Sequence, residues 1–237
     1  MSAPIERWHA GLACCDPAWE AAYRRFETPE EETEKFRRRL LSVGASDWPR
    51  DAAIAELFCG RGNGLRALAA LGFTDLCGVD LSEELLASYD GPARRYLGDC
   101  RDLRFPERSL DVVVVQGGLH HLPDPLADLE RTLDGVRRVL RSRGRLVVVE
   151  PWPTPVLSLV HAACRVPVAR RAWGKLDALA EMIERERETY FRWLARPAEI
   201  RERLRARFRP ELERVAWGKL VFVGVPRPAP GASEATP

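Results

Sequence analysis

Short apolar runs alternate with amphipathic stretches in the middle of the chain, between residues 51 and 150. The runs lie at Ala52–Cys59, Leu76–Val79, Arg95–Leu97, Leu110–Val115 and Arg145–Val149. The four consecutive valines of the fourth run are typical of a strand that is buried on both faces. A helical pattern over about 125–141 separates the last two runs. This alternation predicts a parallel sheet that is covered by helices on both faces.

The segments on either side of this region have helical patterns instead. Thr28-Pro29-Glu30-Glu31 predicts a helix start, because Thr caps, Pro suits the first helical position, and a Glu three residues after the cap completes a capping box. We therefore expect a helical cap without strands over 1–50, a helical lid over 151–208, and a closing β-hairpin over 209–226 around Trp217-Gly218. Residues 227–237 are too poor in apolar side chains to fold and predict a disordered tail.

Composition narrows the class of protein. The 237 residues carry 37 Lys and Arg against 35 Asp and Glu, a formal charge of +2, which argues against a dedicated binder of nucleic acid or of an acidic membrane. We find no secretory signal at the start and no apolar stretch long enough to span a membrane. The six cysteines, at positions 14, 15, 59, 77, 100 and 164, form no CxxC pair and predict reduced thiols. We expect a soluble, cytoplasmic protein without a metal site.

Two features at the ends of successive strands point to a bound nucleoside. Gly60, Gly62 and Gly64 form a turn that opens a helix, where backbone amides can approach a ligand closely. Asp80 ends the next strand and is placed to accept hydrogen bonds from both hydroxyls of a ribose. Each feature alone has another interpretation: the turn as a tight connection, and Asp80 as a helix cap beside Ser82. Together they predict a nucleoside cofactor.

The spacing in the turn separates the candidate cofactors. A dinucleotide fingerprint needs glycine at position 65, which is Leu65, and no Gly-Lys-Ser/Thr triplet follows. A nicotinamide oxidoreductase is therefore disfavoured. The turn is closer to an acidic-x-Gly-x-Gly-x-Gly pattern that begins at Glu56.

Five segments of the chain match one known family in order. They are AELFCGRGNGLRAL, CGVDLS, GDCRDLRFPERSLDVVVVQGGLHHLPD, LRSRGRLVVVEP and WGKLVFVG. With these segments the chain resembles class I S-adenosylmethionine-dependent methyltransferases of the small-molecule branch. The resemblance implies an α/β fold with a Rossmann-like, seven-stranded, mostly parallel sheet whose last strand is antiparallel, with helices on both faces and added helical lid segments. Residues 51–150 would be the S-adenosylmethionine-binding core.

The same resemblance implies a role for each matching residue toward S-adenosylmethionine. The methionine end would lie in the turn formed by Glu56, Phe58, Cys59, Gly60, Gly62, Asn63 and Gly64. Asp80 would bind the ribose and Leu81 would pack on the adenine. Asp99 would accept a hydrogen bond from the adenine amino group beside the Cys100 amide, although Asp99 could also simply cap a turn, and Gln116 would lie near the methionine. Phe58 replaces a glycine of the family, so its ring must pack beneath the turn or narrow the pocket.

The acceptor is expected at the rim formed by His120, His121 and Glu150. A histidine there could act as the base for a hydroxyl acceptor, with Glu150 as its partner or as the base itself. Adjacent loop histidines are not expected to point the same way, so one of the two should face the site. The alternatives are that the histidines bond to loop backbone and that Glu150 pairs with an arginine. Aromatic side chains on both helical segments could enclose the acceptor or serve as packing: Trp8, His9, Trp19, Tyr23, Phe26, Trp152, His161, Trp173, Tyr190 and Trp193.

These observations favour a methyltransferase that acts on a hydroxyl of a small molecule, with no nucleic-acid or membrane partner. The alternating arginines at 201–209 are interpreted as a solvated helix face rather than a nucleic-acid site. The alternative function is an S-adenosylmethionine-binding protein that does not methylate, either cyclase-like or regulatory. The sequence determines neither the acceptor nor the oligomeric state.

Overall fold

The apolar runs form one sheet in a computed structural model that describes residues 4–8 and 16–228. The strands found there are β1 (Ile5–Arg7), β2 (Ile54–Leu57), β3 (Leu76–Asp80), β4 (Arg94–Leu97), β5 (Leu110–Gln116), β6 (Leu140–Pro151), β7 (Phe208–Ala216) and β8 (Lys219–Pro226). Their order is β1-β4-β3-β2-β5-β6-β8-β7. The pairs from β1 to β6 are parallel, and β8 runs antiparallel to both of its neighbours. The predicted mostly parallel sheet with an antiparallel last strand is thus confirmed.

The expectation of seven strands and of a strand-free cap was wrong. Ile5–Arg7 pairs in parallel with β4 and adds an eighth strand at the edge. Trp8 continues the pairing through its amide, which donates to the Leu97 carbonyl at 2.9 Å, and its ring packs on Tyr96 with centroids 4.8 Å apart. The strand has one apolar residue and three positions in all, so neither length nor alternation marks it in the sequence.

The side chains of β5 show why both faces of the sheet are covered. Val113 and Val115 belong to a core with Leu133 of the helix before β6, whereas Val112 and Val114 belong to a core with Leu68 of the helix after β2. Successive side chains of a strand point to opposite faces, so a run of valines fills both cores.

Ten helices accompany the sheet in the described residues. They are α1 (Pro17–Phe26), α2 (Pro29–Ser42), α3 (Asn63–Ala70), α4 (Glu83–Ala87), α5 (Ala127–Val139), α6 (Pro155–Cys164), α7 (Pro167–Ala172), α8 (Gly174–Arg185), α9 (Arg187–Leu194) and α10 (Pro197–Arg207). The predicted capping box begins α2, since the Glu31 amide donates to Thr28 Oγ1 and the Thr28 amide donates to a Glu31 carboxylate oxygen, both at 3.2 Å. No helix in these residues is long and apolar enough to cross a membrane.

Several sequence predictions concern residues outside the described ranges. They are Cys14, Cys15, His9 and positions 229–237 of the predicted tail. Among the described residues the remaining four cysteines are free and buried. The arginines that alternate from Arg201 to Arg207 pair with carboxylates of α5 and β7: Glu130, Asp134 and Glu213.

Candidate active site

The glycine-rich turn between β2 and α3 is packed too tightly for most other residues. Gly62 has a φ of +74°, a left-handed conformation that favours glycine, and a Cβ there would overlap the Tyr89 ring. A Cβ on Gly64 would overlap the Glu56 carboxylate. These two positions keep the backbone of the turn close to the ends of β2 and β3, where a ligand can reach its amides.

Phe58 has a φ of +55°, in the left-handed region that favours glycine. Its side chain extends toward the loop after β5, where a Cβ on Gly118 would overlap Phe58 Cβ and Cγ. The ring also packs against the core on that side of the sheet. The ring therefore packs on the core beside Gly118, and whether it also narrows the cofactor pocket stays a prediction.

Asp80 joins the turn to the end of β3. Its Oδ2 accepts a hydrogen bond from the Gly60 amide and its Oδ1 accepts one from the Ser82 amide, both at 2.8 Å. Burial raises the pKa of Asp80, although hydrogen bonds from the Ser82, Gly60 and Leu81 amides favour its charged form. Ser82 is the cap of α4 through its own hydroxyl, which accepts from the Leu85 amide at 3.2 Å. Asp80 thus shapes the turn and presents its carboxylate at the end of β3, where a ligand hydroxyl can donate to it.

The next two candidates lie just after β4. Asp99 is held by Arg101, whose guanidinium donates to both carboxylate oxygens, with Nη2 to Oδ2 at 2.6 Å. Cys100 is buried beside Thr132 of α5, with Sγ and Oγ1 3.7 Å apart. The Arg101 guanidinium therefore fixes the direction of the Asp99 carboxylate.

The rim contains a buried carboxylate that is bonded to a histidine. Glu150, at the end of β6, is fully buried, and its Oε1 accepts hydrogen bonds from the Gly118 and Leu119 amides, both at 2.8 Å. Its Oε2 lies 2.7 Å from Nδ1 of His120. The partner of Glu150 is thus a histidine together with two backbone amides, rather than an arginine.

The two histidines lie side by side, contrary to expectation. Their ring centroids are 4.2 Å apart with an angle of 33° between the planes, because both belong to one short 3₁₀ turn. Glu186, between α8 and α9, approaches both: its carboxylate lies 3.9 Å from His120 Nε2 and 3.2 Å from His121 Nδ1. Trp19 of α1 donates to the same carboxylate at 3.0 Å. Glu186 thus connects the cap, the lid and the histidine turn.

Comparisons with known proteins agree with this arrangement. A family model described as "Methyltransferase domain" matches residues 55–148. Demethylmenaquinone methyltransferases from Bacillus licheniformis and Thermotoga maritima are 30% and 28% identical, over 51% and 50% of this chain and 53% and 51% of their own lengths. Residues 55–148 thus form a methyltransferase domain, which supports the class I S-adenosylmethionine-dependent family that the sequence resembles. It spans about half the length of the curated relatives it matches.

Solved structures extend the likeness in fold beyond the matched domain. A protein from Pyrococcus horikoshii has a TM-score of 0.65 at 17% identity, covering 90% of this chain and 100% of its own. An S-adenosylmethionine-dependent methyltransferase from Methanosarcina mazei has a TM-score of 0.54 at 17% identity, covering 78% and 96%. At such identities the likeness shows the fold. The cofactor of the methyltransferase domain is S-adenosylmethionine.

Buried polar atoms without partners show that the site fits this cofactor. Among the described residues, Oε2 of Glu56 and both polar side-chain atoms of Gln116 are buried without a hydrogen-bond partner of ordinary geometry, although the Gln116 side chain and the Leu65 amide lie close enough to Glu56 to lower its pKa. Burial raises the pKa of Glu56 to about 8, and the negative charges of Glu32 and Asp80 add to the effect. Such atoms are costly unless a ligand satisfies them. A cofactor with a cationic, hydrogen-bonding methionine end supplies what they lack.

Neighbouring charges separate the pKa values of the two histidines of the methyltransferase domain. Burial by itself would lower the pKa of His120, but the hydrogen bond and charge of Glu150, together with Glu186, raise it above its usual value. Burial and the nearby His120 lower the pKa of His121 well below the usual value. Paired groups whose pKa values are pushed apart are a recurrent sign of separate roles in proton transfer.

Sequence reasoning missed two carboxylates that come from other elements, one buried (Glu32) and one half-buried (Glu186). Glu32 of α2 accepts a hydrogen bond from Asn63 Nδ2 at 2.7 Å and also bonds to the Tyr23 hydroxyl, so it ties the cap to the glycine-rich turn. Glu186 ties the lid to the histidines. Each lies in a charged helical stretch that is typical of a solvated face, and no signal in the sequence distinguishes it from its exposed neighbours.

The aromatic candidates divide by position. Trp19 and Tyr190 lie at the histidine turn, with the Tyr190 ring edge-on to His120 at 5.7 Å. Trp8, Trp152 and Trp193 are core residues.

His120, His121 and Glu186 also bring possible metal ligands within 4.8 Å of one another. Hydrogen bonds and ion pairs account for that spacing, so we interpret the group as a charge network.

Proposed function

We propose that the chain transfers a methyl group from S-adenosylmethionine to a hydroxyl group of a small molecule. The observation that carries the proposal is the Glu150–His120 pair, 2.7 Å between Oε2 and Nδ1, beside the glycine-rich turn of a methyltransferase domain. Phe58 of the turn contacts Gly118, whose amide binds Glu150. The two halves of the site are therefore adjacent.

In the proposed complex the residues at the strand ends hold the cofactor. Glu56, Gln116 and the turn from Phe58 to Gly64 bind the methionine end, and Asp80 accepts hydrogen bonds from the ribose hydroxyls. Leu81 packs on the adenine, while Asp99 and the Cys100 amide bind its polar edge. When bound, S-adenosylmethionine supplies an activated methyl group on a sulfonium. The protein aligns the acceptor with that methyl group, an effect that can supply about 7–11 kcal/mol.

His120 is the proposed base. Glu150 binds Nδ1, which places the ring proton there in the neutral form, so Nε2, which lies 3.9 Å from Glu186, is the atom that would accept the hydroxyl proton. The two backbone amides on Oε1 hold the Glu150 carboxylate in place beside His120, where it can stabilise the imidazolium that forms. Base catalysis of this kind contributes about 10²–10⁴-fold. Glu186 positions the histidine loop.

Two relatives are named for methyl transfer to demethylmenaquinone, which supports a small-molecule acceptor. The rival function, cofactor binding without methylation, differs in its product. A methyltransferase forms S-adenosylhomocysteine together with a product that has gained one methyl group. A mass-spectrometric screen of metabolite pools with the full chain distinguishes the two functions.

Histidine variants test the base once an acceptor is found. His120→Ala is expected to lower kcat by about 10²-fold or more with almost unchanged S-adenosylmethionine affinity, because the proton acceptor is lost and the cofactor contacts are not. Glu150→Gln should lower kcat less and shift the rise of kcat with pH to lower pH, since Glu150 raises the pKa of His120.

His121→Ala is the matched control and should have little effect. Near-full turnover in both histidine variants would contradict the proposed base, and an amine, thiol or acidic phenol acceptor would then be favoured over an alcohol. A chelator should leave turnover unchanged if the charge-network interpretation holds.

A further inference from the structure

Exposed apolar side chains are concentrated on one part of the surface. Seven large hydrophobic residues of the described chain are exposed. Leu41 of α2 is one, and the other six are Val156, Leu159, Val166, Val168, Trp173 and Trp217. The residues from Val156 to Trp173 follow one another along α6, the turn between α6 and α7, α7 itself and the residue after it. We call these six residues, with the exposed parts of α6 and α7, the α6–α7 face.

Trp217 reaches this face through the tip of the β7–β8 hairpin. A Cβ on Gly218 would lie 3.2 Å from the Cβ of Leu157 on α6, so the tip packs directly on that helix. The Trp217 side chain is 84% exposed, compared with 72% for Leu159 and 71% for Val168. From Pro155 to Gly174 only Cys164 is buried. These helices therefore present apolar side chains outward.

The same segment carries only positive charge. Residues 152–176 contain three arginines and one lysine and no Asp or Glu, in a chain whose total charge is +2. Arg170 pairs with Asp177 and Lys175 pairs with Glu31. Arg165 and Arg171 are exposed and form no ion pair with any described residue. Both arginines line a cleft that also contains Asp177 and Glu181 of α8, whose carboxylates pair with Arg25 and Arg170 instead.

Exposed aliphatic side chains, tryptophans and unpaired arginines together match the boundary of an anionic bilayer. Amphipathic helices dock there with apolar side chains at the edge of the acyl region, tryptophan at the headgroups, and Lys or Arg near anionic lipids. A second copy of the chain fits less well. In a two-fold contact it would bring Arg165 and Arg171 of one copy against those of the other, with no acidic residue in the segment to offset them.

We propose that the α6–α7 face docks the protein on the surface of a membrane that contains anionic lipids. Leu159, Val168 and Trp173 enter the headgroup–acyl boundary, and Arg165 and Arg171 bind lipid phosphates. The helices are too short to span the bilayer, so the contact is peripheral and reversible.

The inner side of α6 connects this surface to the histidine turn. His161 Nε2 lies 3.0 Å from the Tyr190 hydroxyl, and the Tyr190 ring packs on His120. Docking would therefore place against the membrane the helix whose inner side contacts the acceptor rim through Tyr190. This consequence rests on the proposed function, whereas docking itself does not.

Vesicle flotation of the full chain, without cofactor or acceptor, tests the docking. Vesicles of phosphatidylcholine and phosphatidylglycerol at 3:1 should bind the protein at least about tenfold more strongly than phosphatidylcholine alone, and added salt should reduce the difference. The double variant Arg165→Gln/Arg171→Gln should lose about tenfold in binding to the anionic vesicles. Leu159→Ser/Val168→Ser should lose a similar amount.

Two variants elsewhere on the surface serve as matched controls. Leu41→Ser removes the exposed apolar residue outside the face, and Arg143→Gln removes an exposed arginine near the amino end of β6. Both should bind vesicles like the unchanged protein. All substituted side chains are exposed, so circular dichroism should show the same fold throughout.

Three results would overturn the proposal: equal binding to neutral and anionic vesicles, equal loss in the control variants, or no binding at all. Light scattering that shows a dimer, converted to monomer by Leu159→Ser/Val168→Ser, would assign the face to a second copy instead. Methyl transfer is assayed separately, so failure of docking leaves the proposed function intact.

Discussion

Phe58 shows how one residue can depart from a family pattern without losing the turn. A left-handed conformation costs a non-glycine residue about 1–2 kcal/mol, because Cβ approaches the carbonyl oxygen. The ring offsets part of this cost by packing on the core and on Gly118. Positions 58 and 118 are therefore coupled across 60 residues of sequence.

A double-mutant cycle tests this coupling. Gly118→Ala should destabilise the protein by about 1–3 kcal/mol, because its methyl group overlaps Phe58 Cβ and Cγ. In a Phe58→Gly background the same substitution should cost clearly less, since the overlapping atoms are gone. Urea unfolding of the four proteins measures both costs. Equal costs in the two backgrounds would mean that the residues do not interact.

The second prediction at the residue scale concerns Asp80. Asp80→Ala should weaken S-adenosylmethionine binding at least about tenfold, because the ribose hydroxyls lose charge-assisted hydrogen bonds. Asp80 also orders the Gly60 amide, so part of the loss passes through the turn. Calorimetry gives the affinity. Ser82→Ala is the control, because it removes the α4 cap and keeps the carboxylate. Unchanged affinity in Asp80→Ala, or an equal loss in Ser82→Ala, would remove Asp80 from the ribose site.

At the scale of elements, the cap and the lid form one unit above the sheet edge. Arg25 of α1 pairs with Asp177 and Glu181 of α8, and Lys175 pairs with Glu31 of α2. Exposed ion pairs of this kind contribute little stability, typically 0–1 kcal/mol each. The helical segments are therefore held to each other and to the core less firmly than the strands are held together.

Hydrogen exchange should reveal this difference. In the protein without ligand, residues 16–45 and 151–195 should exchange faster than Val112–Val115, because they lack strand pairing and can open locally. The matched control is α5, a helix whose inner face, Leu129 to Val136, is buried on the sheet. It should be protected like the strands. Equal protection of all these segments would make the cap and lid fixed parts of the core, and the acceptor would have to enter elsewhere.

For the whole molecule, the buried Glu56 makes stability depend on pH. Its folded pKa is raised to about 8, from an ordinary value of 4.5, mainly by burial. The folded state thus holds a proton that the unfolded state releases at lower pH. The stabilisation is fully present below pH 4.5 and is lost as pH rises toward 8.

Glu56→Gln removes this titration while nearly keeping the shape of the side chain. Without cofactor, the variant should gain stability relative to the unchanged protein as pH rises from about 4.5 to about 8, by at most about 1.4 kcal/mol per pH unit. Urea unfolding at several pH values measures the difference. Glu30→Gln, on the exposed side of α2, should not reproduce it. A stability difference that does not change with pH would contradict the raised pKa of Glu56.

The charge of one surface segment differs from the net charge of the whole chain. The total charge of +2 argues against a dedicated membrane binder, yet 25 consecutive residues, 152–176, carry four positive charges and no acid. The net charge is a sum over the whole surface of the protein, whereas membrane binding depends on the charge of one face. The folded chain brings this segment together with the exposed Trp217, which follows it by 41 positions.

The sequence by itself determined the sheet and the strand-end positions of the predicted cofactor residues. Apolar strands such as Leu110–Gln116 and the glycine-rich turn are local patterns, and local patterns report backbone conformation and burial directly. Since parallel strands place their carboxyl ends at one edge, the positions of Glu56, Asp80 and Gln116 followed from the strand assignments.

Only the tertiary structure decided which groups meet at the rim. Glu150 selects His120 from two adjacent histidines, and Glu186 reaches the same turn from 65 positions away. The short strand Ile5–Arg7 likewise exists because β4 offers it an edge. These contacts depend on distances between elements that packing sets. A charged residue in a helical stretch carries no local mark of whether packing will bury it or leave it in water.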